Sequence, residues 1–174
     1  MRSVGCCVLG VALGLIVPTA SAGEWRYDHV GDFRIGDAVD VGALGPEWAV
    51  SDGGNRAECA RISGGTLPDG LGMMLVEGRI ARFEVGLEGD SVTDPQLDAP
   101  FGLRVGMSLR YAAMRFPNEP LDLDFHKYAW PPGVYLSWLD EQTNRGVRVE
   151  VPDDTVTVIL WGLADAVTRS EGCT

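Results

Sequence analysis

The stretch from 146 to 161, GVRVEVPDDTVTVILW, carries the clearest structural signal in the chain. From 146 to 151 every second residue is valine, and the residues between them are glycine or charged. This two-residue period is typical of an antiparallel strand with one buried face. The turn-forming residues Pro152-Asp153-Asp154 follow, and apolar side chains alternate again from 155 to 161. The stretch therefore predicts two adjacent strands joined by a tight turn.

Further strands are predicted on the N-terminal side of this pair. Residues 133–139 alternate apolar and other side chains. Residues 71–77 and 79–86 predict a hairpin around Glu77-Gly78, a dipeptide that suits a tight turn. Residues 87–100 are rich in Asp, Gly and Pro, so they are predicted to connect two halves of the chain.

The two halves resemble each other in pattern. Three matches occur in the same order in both halves. Residues 33–37 match 103–107 at an offset of 70. Residues 59–62 match 135–138, and Ile80 matches Val156, both at an offset of 76. Agreement in both order and spacing predicts an internal repeat. Each half is then predicted to contain a short extended segment that ends at Gly36 or Gly106, a helix, and three strands.

The helix is clearer in the second half. Ser108 can cap its start and Pro117 ends it. Apolar residues recur between them at helical spacing, namely Leu109, Ala112, Ala113 and Phe116. The matching segment 38–48 contains two glycines and a proline, so its helix is expected to be short or degenerate. We therefore predict an α+β fold, with two tandem helix-plus-antiparallel-sheet repeats (23–86 and 101–174) packed as one small domain.

A helix followed by a small antiparallel sheet, present twice, resembles the fold of the secreted β-lactamase inhibitory proteins. Gly106-Met107-Ser108 also resembles a helix start that is common in small outer-membrane-assembly lipoproteins. The chain differs from those lipoproteins because glycine, and not a lipid-acceptor cysteine, stands at position 23, where the mature chain is expected to begin. Glu171-Gly172-Cys173 and His126-Lys127-Tyr128 resemble motifs of a family of bacterial secreted proteins with no assigned activity. These resemblances imply a secreted protein with a helix-plus-sheet fold, and no activity follows from the last of them.

The first 22 residues have the features of a secretory signal peptide. Arg2 supplies the positive charge, 8–17 is an apolar run too short to span a bilayer, and Ala20-Ser21-Ala22 offers small residues before Gly23. No later apolar run approaches the length of a membrane span. We therefore predict a soluble periplasmic or secreted protein that begins near Gly23.

Charge narrows the classes of partner. The formal net charge is -11 at pH 7, and loss of Arg2, the one charged residue of 1–22, makes it -12. Such an acidic chain is repelled by phosphate backbones, so no nucleic-acid partner is expected. Cationic partners are weakly favoured, although an acidic surface also serves solubility alone.

The cysteines predict one disulfide. Cys6 and Cys7 lie in the predicted signal peptide, so Cys59 and Cys173 are the cysteines of the mature chain. Two cysteines in an oxidising compartment most simply pair with each other. No Cys-x-x-Cys spacing indicates a redox function, so a structural bond is expected.

The segment from 122 to 130, DLDFHKYAW, is the best candidate for a binding loop, within a predicted loop of 117–132. Tyrosine and tryptophan bury a large area at a small entropy cost, which makes them good anchors. The candidate binding residues are His126, Lys127, Tyr128, Trp130, Tyr135 and Trp138. The alternative is an ordinary loop whose aromatic side chains pack on the sheet while His126 bonds a backbone carbonyl, and mixed polar loops favour it.

No enzyme motif stands out. The chain has neither a Gly-x-Ser-x-Gly elbow nor a His-Glu-x-x-His zinc helix. Asp90, Asp94 and Asp98 recur at every fourth position, but this is not EF-hand spacing, so a solvated loop is favoured over a calcium site. We predict no metal and no cofactor. The predicted function is a protein-binding or inhibitory module, and the alternatives are a small envelope hydrolase and an accessory protein for envelope assembly.

Two structural outcomes would separate these alternatives. An open concave sheet face that presents Trp138, Trp161 and Tyr135 would favour binding. A cleft that brings His126 against a carboxylate and a hydroxyl would favour catalysis.

Overall fold

An antiparallel sheet organises the part of the chain that the structure describes. The computed structural model describes residues 27–51, 55, 58–86, 97, 99–117, 121–130, 132–170 and 172–173. The predicted signal peptide 1–22 lies outside these residues, as do Asp90, Asp94 and Asp98 and most of the predicted connector 87–100.

The elements within those ranges are mostly strands. They are β1 His29–Val30, β2 Phe33–Arg34, β3 Trp48–Ser51, β4 Cys59–Gly64, β5 Leu71–Val76, β6 Arg79–Val85, β7 Asp122–Phe125, β8 Val134–Asp140, β9 Arg145–Val151 and β10 Val158–Leu163. The α-helices there are α1 Leu109–Ala113 and α2 Ala164–Thr168, and 3-10 turns lie at Val41–Ala43 and Pro100–Gly102. None of the described helices has the length and apolar content needed to cross a membrane.

Two four-stranded meanders meet at the centre of the large sheet. Its strand order is β3-β4-β5-β6-β10-β9-β8-β7, while β1 and β2 form a separate small hairpin. Where β6 pairs with β10, Trp161 lies opposite Phe83, and their ring centroids are 5.6 Å apart. Both side chains are almost fully buried. The centre of the core is therefore built by residues that are distant in sequence.

The predicted α+β fold of helix-plus-sheet repeats is wrong, because the described chain is mostly β-structure. In the first half, the segment 38–48 holds only the 3-10 turn Val41–Ala43, which the Asp40 carboxylate caps. Gly45 and Pro46 follow this turn, and neither supports the interior of a helix. The chain then extends into β3, where alternate side chains contact the sheet.

The second half keeps only a short form of its predicted helix. Ser108 caps α1 as predicted, since its Oγ accepts the backbone N–H of Tyr111 at 3.4 Å. The helix has five residues and ends at Ala113. Helix α2 and strand β7 were not predicted, because one follows a strand directly and the other is interrupted by aspartates.

The predicted hairpin at Glu77-Gly78 is confirmed. Val76 pairs with Arg79, and both turn residues have positive φ, 51° for Glu77 and 72° for Gly78. These angles match the turn whose twist suits a two-residue hairpin, and glycine adopts them without strain.

The strand predicted at 155–161 begins later, at Val158. Val156 instead pairs with the segment before α1: its N–H donates to the Met107 carbonyl at 2.7 Å, and its carbonyl accepts from Gly106 at 2.8 Å. Because these bonds occupy Val156, the pairing of β10 with β9 starts two residues further on, at Val158, and its pairing with β6 starts at Ile159.

The two faces of the large sheet differ in chemistry. The inner face is packed with apolar side chains and is covered by β1, β2, the 3-10 turns and α1. The outer face carries polar residues that are nonetheless buried: Arg82, Glu84, Ser137 and Arg148. Side chains alternate along each strand, so every strand contributes to both faces.

The C-terminal segment covers part of the outer face. Val167 of α2 packs on Val158 and Leu160 of β10. A disulfide joins Cys59 of β4 to Cys173, with Cα atoms 5.3 Å apart across 114 residues of sequence. The predicted pairing of these two cysteines is confirmed. We name residues 164–170 and 172–173 the C-terminal strap.

Candidate functional site

Four exposed apolar side chains lie together in sequence at one edge of the sheet. Leu123 and Phe125 of β7 are 60% and 81% exposed, and Tyr128 and Trp130 of the following loop are 64% and 93% exposed. Strand β7 is the last strand of the large sheet and pairs only with β8 in the described chain. We name these four residues the aromatic edge.

His126 attaches the loop of the aromatic edge to the sheet. Its backbone N–H donates to the Gly133 carbonyl at 2.8 Å. Its ring stacks on the ring of Tyr135, with centroids 4.4 Å apart and planes at 21°. The imidazole is therefore held against the outer face, while the Tyr128 and Trp130 side chains are exposed.

Both nitrogens of the His126 ring have partners. Nδ1 accepts the backbone N–H of Tyr128 at 3.2 Å, so the neutral ring carries its proton on Nε2. Nε2 lies 3.3 Å from a carboxylate oxygen of Glu150. Both ring nitrogens are therefore engaged by groups of the protein itself. The histidine therefore shapes the loop.

Arg148 and Tyr135 extend this contact network across the outer face. The guanidinium of Arg148 lies 4.8 Å from the centre of the Tyr135 ring. It donates to Ser137 Oγ at 2.9 Å and to the Thr168 carbonyl of the C-terminal strap at 3.0 Å. Asp124 of β7 approaches to 3.7 Å. An open depression lies beside the aromatic edge, and these charged and aromatic groups line it.

Burial shifts the pKa values of Arg148 and Tyr135. It lowers the pKa of Arg148 below the usual arginine range, and the nearby Asp124 carboxylate opposes that shift. Burial raises the pKa of the Tyr135 hydroxyl, and the negative charge of Glu150 raises it further. The network therefore holds its tyrosine in the neutral form.

The pH titration of Tyr135 tests this description. We expect its hydroxyl to ionise above the ordinary tyrosine pKa of about 10. Because the pKa is higher in the folded state, the stabilisation is complete below the unfolded-state pKa and is lost as pH rises through the folded-state pKa. The phenolate absorbance of the wild type minus that of Tyr135→Phe isolates this transition. A transition at or below the ordinary value would contradict the burial of the hydroxyl.

The structure separates two of the predicted binding residues. Tyr135 lies on the outer face, while Trp138 is buried in the inner core, 5.2 Å from the ring of Phe101. An odd separation along a strand places two side chains on opposite faces. Trp161 is also in the core. The open concave face of Trp138, Trp161 and Tyr135 is therefore not formed.

The other predicted binding residues come together around β7. His126, Lys127, Tyr128 and Trp130 share one loop, and the Lys127 ammonium lies 5.6 Å from the centre of the Tyr128 ring. Sequence reasoning missed Leu123 and Phe125. Their alternation with Asp122 and Asp124 was a two-residue period that could have indicated a strand.

A second polar cluster, also missed, lies under the C-terminal strap. Glu84 of β6 accepts hydrogen bonds from Nε of Arg61 and Nε of Arg82, both at 2.7 Å. Arg82 Nη1 donates to the carbonyls of Ala166 and Arg169 in the strap. The ion pairs and the strap therefore hold each other in place. No sequence pattern distinguishes these charges from exposed ones.

Comparison with known proteins leaves the fold and the site to be interpreted from their own geometry. No family model, no curated protein and no solved structure matches the chain. In the ranges that the structure describes, no three His, Cys, Asp or Glu side chains are grouped so as to hold a metal ion.

Proposed function

We propose that this chain is a protein-binding module and that the aromatic edge is its contact surface. The observation that carries the proposal is the exposure of Leu123, Phe125, Tyr128 and Trp130, from 60% to 93%, within eight residues of sequence. Apolar clusters of this kind mark interaction sites, because leaving them in water forgoes the free energy of burial. Tyrosine and tryptophan are also the residue types that most often dominate binding energy.

The loop is attached in a way that favours binding. The backbone N–H of Tyr128 is bonded to the His126 ring, and that ring is stacked on Tyr135 and bonded to Glu150. A side chain carried on a fixed backbone loses less freedom when it binds. The anchors are therefore presented from a base that is ordered before the partner arrives.

The partner expected from this chemistry is a protein with an extended, basic and apolar segment. The outer edge of β7 presents backbone groups that an added strand can bond. Asp122 and Asp124 lie on one side of β7, and Leu123 and Phe125 lie on the other. A segment that alternates basic and apolar residues complements both sides. The net charge of -11 would also increase the rate of encounter with a basic partner.

Two further aspects of this function are proposals. An exported protein is compatible with the Cys59–Cys173 disulfide, since such bonds persist outside the cytoplasm. Inhibition of an enzyme stays a prediction. Its support is the sequence resemblance to β-lactamase inhibitory proteins, and the described residues do not form the helix-plus-sheet repeats on which that resemblance was drawn. The hydrolase alternative is not proposed, because His126 offers no unengaged ring nitrogen.

The double variant Tyr128→Ala/Trp130→Ala tests the contact surface. We expect it to weaken partner binding by about 30-fold or more, the effect of losing an anchor residue. Its melting temperature should change little, because exposed side chains contribute little to folding. The measurement begins with capture of partners by residues 23–174 from envelope and culture fractions. It ends with the dissociation constant of the purified partner, by calorimetry.

The matched control is Tyr111→Ala/Met114→Ala. These side chains are 64% and 65% exposed, so the control removes a similar apolar surface elsewhere. The control should bind as the wild type does. Equal affinity of both double variants for the partner would contradict the proposal, and so would unfolding of the Tyr128→Ala/Trp130→Ala variant.

A further inference from the structure

A cleft opens on the outer face of the first meander, at the opposite edge of the sheet from the aromatic edge. Its volume is about 330 Å³, and it is lined by residues of β3, β4, β5 and the loop 65–70, and by Glu84 of β6. Small residues leave this space empty of side chains: Ala49, Ser51, Ser63 and Gly72. The cleft is therefore a recess in the face of the sheet.

Arg61 provides a cationic group in this cleft. Its Nε is bonded to Glu84, and its side chain is 32% exposed. Its two Nη nitrogens make no hydrogen bond within the described residues. A guanidinium held at Nε still has the paired donors of its Nη nitrogens, and these match the two oxygens of a carboxylate.

The charges beneath Arg61 leave a local excess of positive charge. Glu84 is 1% exposed and contacts both Arg61 and Arg82, so one carboxylate faces two guanidiniums. Arg82 is occupied by the strap carbonyls and does not line the cleft. Among the described residues, no other carboxylate is paired with Arg61, so the positive charge that Glu84 leaves unbalanced can attract a ligand there.

Two acidic groups line the same cleft, and one of them, Glu84, is already paired with Arg61 and Arg82. Asp69, in the loop that forms the wall, lines it with an exposed side chain. Ser51 and Ser63 add hydroxyl groups, and Leu67 adds apolar surface. A recess with a guanidinium, a carboxylate and hydroxyl groups is complementary to a ligand that carries both charges.

We propose that this cleft binds a small zwitterion of the amino-acid class, with its carboxylate on Arg61 and its ammonium on Asp69. The volume suits a ligand of that size. A zwitterion has no net charge, so the acidic protein does not repel it as it would repel a simple anion. This site is separate from the proposed protein-binding surface, because β3 and β7 are opposite edges of the sheet.

The test is a titration of the protein with each common α-amino acid, followed by nuclear magnetic resonance. We expect at least one of them to shift the Arg61 Nε–H signal and the amide signals of 63, 64 and 70–72, with saturation. Acetate and ethylamine each carry one of the two charges. They should bind at least about tenfold more weakly than that amino acid, which corresponds to about 1.4 kcal/mol.

Three variants locate the site. Arg61→Gln and Asp69→Asn each remove one charge and should weaken binding about tenfold or more. Gly72→Val places a side chain inside the cleft. A Cβ at this position lies 3.4 Å from the Ile62 carbonyl oxygen and 4.0 Å from Glu84 Oε2, so it fits without a clash. The two methyl groups of valine then occupy part of the cleft. Valine also suits a strand. The control Arg110→Gln removes an exposed charge from α1 and should bind as the wild type does.

Several results would overturn the proposal. Absence of saturable shifts at the cleft with every amino acid is one of them, and equal binding of acetate alone is another. Unchanged affinity in Asp69→Asn and Gly72→Val would also refute it. Neither of these two variants removes Arg61 or Glu84, so they decide the question even if Arg61→Gln does not fold.

Discussion

Reduction of the Cys59–Cys173 disulfide is expected to lower the free energy of unfolding by about 4 kcal/mol. The bond closes a loop across 114 residues, so breaking it returns a large conformational entropy to the unfolded chain. It also holds the C-terminal strap, whose carbonyls accept hydrogen bonds from the buried Arg82 and Arg148. Loss of the strap would remove the acceptors of the Nη1 donors of these two guanidiniums.

Urea unfolding with and without reductant measures this effect, and Cys59→Ser/Cys173→Ser gives the same state without reductant. The double variant should unfold at a lower urea concentration than the oxidised protein and should not respond to reductant. Amide hydrogen exchange should be fastest in the strap, at 166–169. Identical unfolding midpoints for the oxidised protein and the double variant would show that the bond adds no stability.

Substitution of Glu84 is expected to have an effect of similar size. Glu84→Ala should cost about 3–5 kcal/mol, because it leaves Arg82, which is 3% exposed, without its carboxylate. The charge of Arg82 then stays buried with only the strap carbonyls as partners. Glu84→Gln keeps the shape and one acceptor oxygen, so its loss should be smaller.

The double variant Arg82→Met/Glu84→Met distinguishes the loss of the ion pair from the cost of a buried charge that has lost its partner. It removes both buried charges, so it should be more stable than Glu84→Ala even though it changes more atoms. The measurement is the free energy of unfolding in urea for all four proteins. If Glu84→Ala matched the wild type, the ion pairs would not be part of what holds the strap to the sheet.

Local patterns in the sequence predicted several strands correctly. The alternation from 146 to 151 falls in β9, and the turn at Glu77-Gly78 joins β5 to β6. Such features depend on neighbouring residues, since the strand period and the turn angles belong to a few consecutive positions. The cap at Ser108 was predicted for the same reason.

The errors arose where distant residues compete for the same backbone. Val156 was assigned to a strand, but the segment before α1 takes its hydrogen bonds. The segment 38–48 was predicted to form a short or degenerate helix, but its last residue begins β3, which pairs with β4 at the edge of the sheet. Strand β7 was read as a loop because Asp122 and Asp124 are rare in strand interiors, and an edge strand exposed to water tolerates them.

The candidate site likewise includes residues that the sequence indicated and residues that it did not. The segment 122–130 was chosen from composition alone, and its aromatic residues are exposed as a contact surface requires. Trp138 was chosen on the same grounds and is in the core, since side-chain direction depends on the face that the sheet buries. Arg61, Arg82 and Glu84 were not chosen, because in sequence a buried charge looks the same as an exposed one.

The sequence by itself determined the local elements: the period of the central strands, the tight turns, the Ser108 cap and the pairing of Cys59 with Cys173. Only the tertiary structure decided that two meanders join at β6 and β10, which face of each strand is buried, and where the strap crosses. Hydrogen bonds and turn angles between neighbours are set by the residues involved. Pairing between distant strands depends on competition among many possible contacts. The pairing that forms is the one that buries the whole core most favourably.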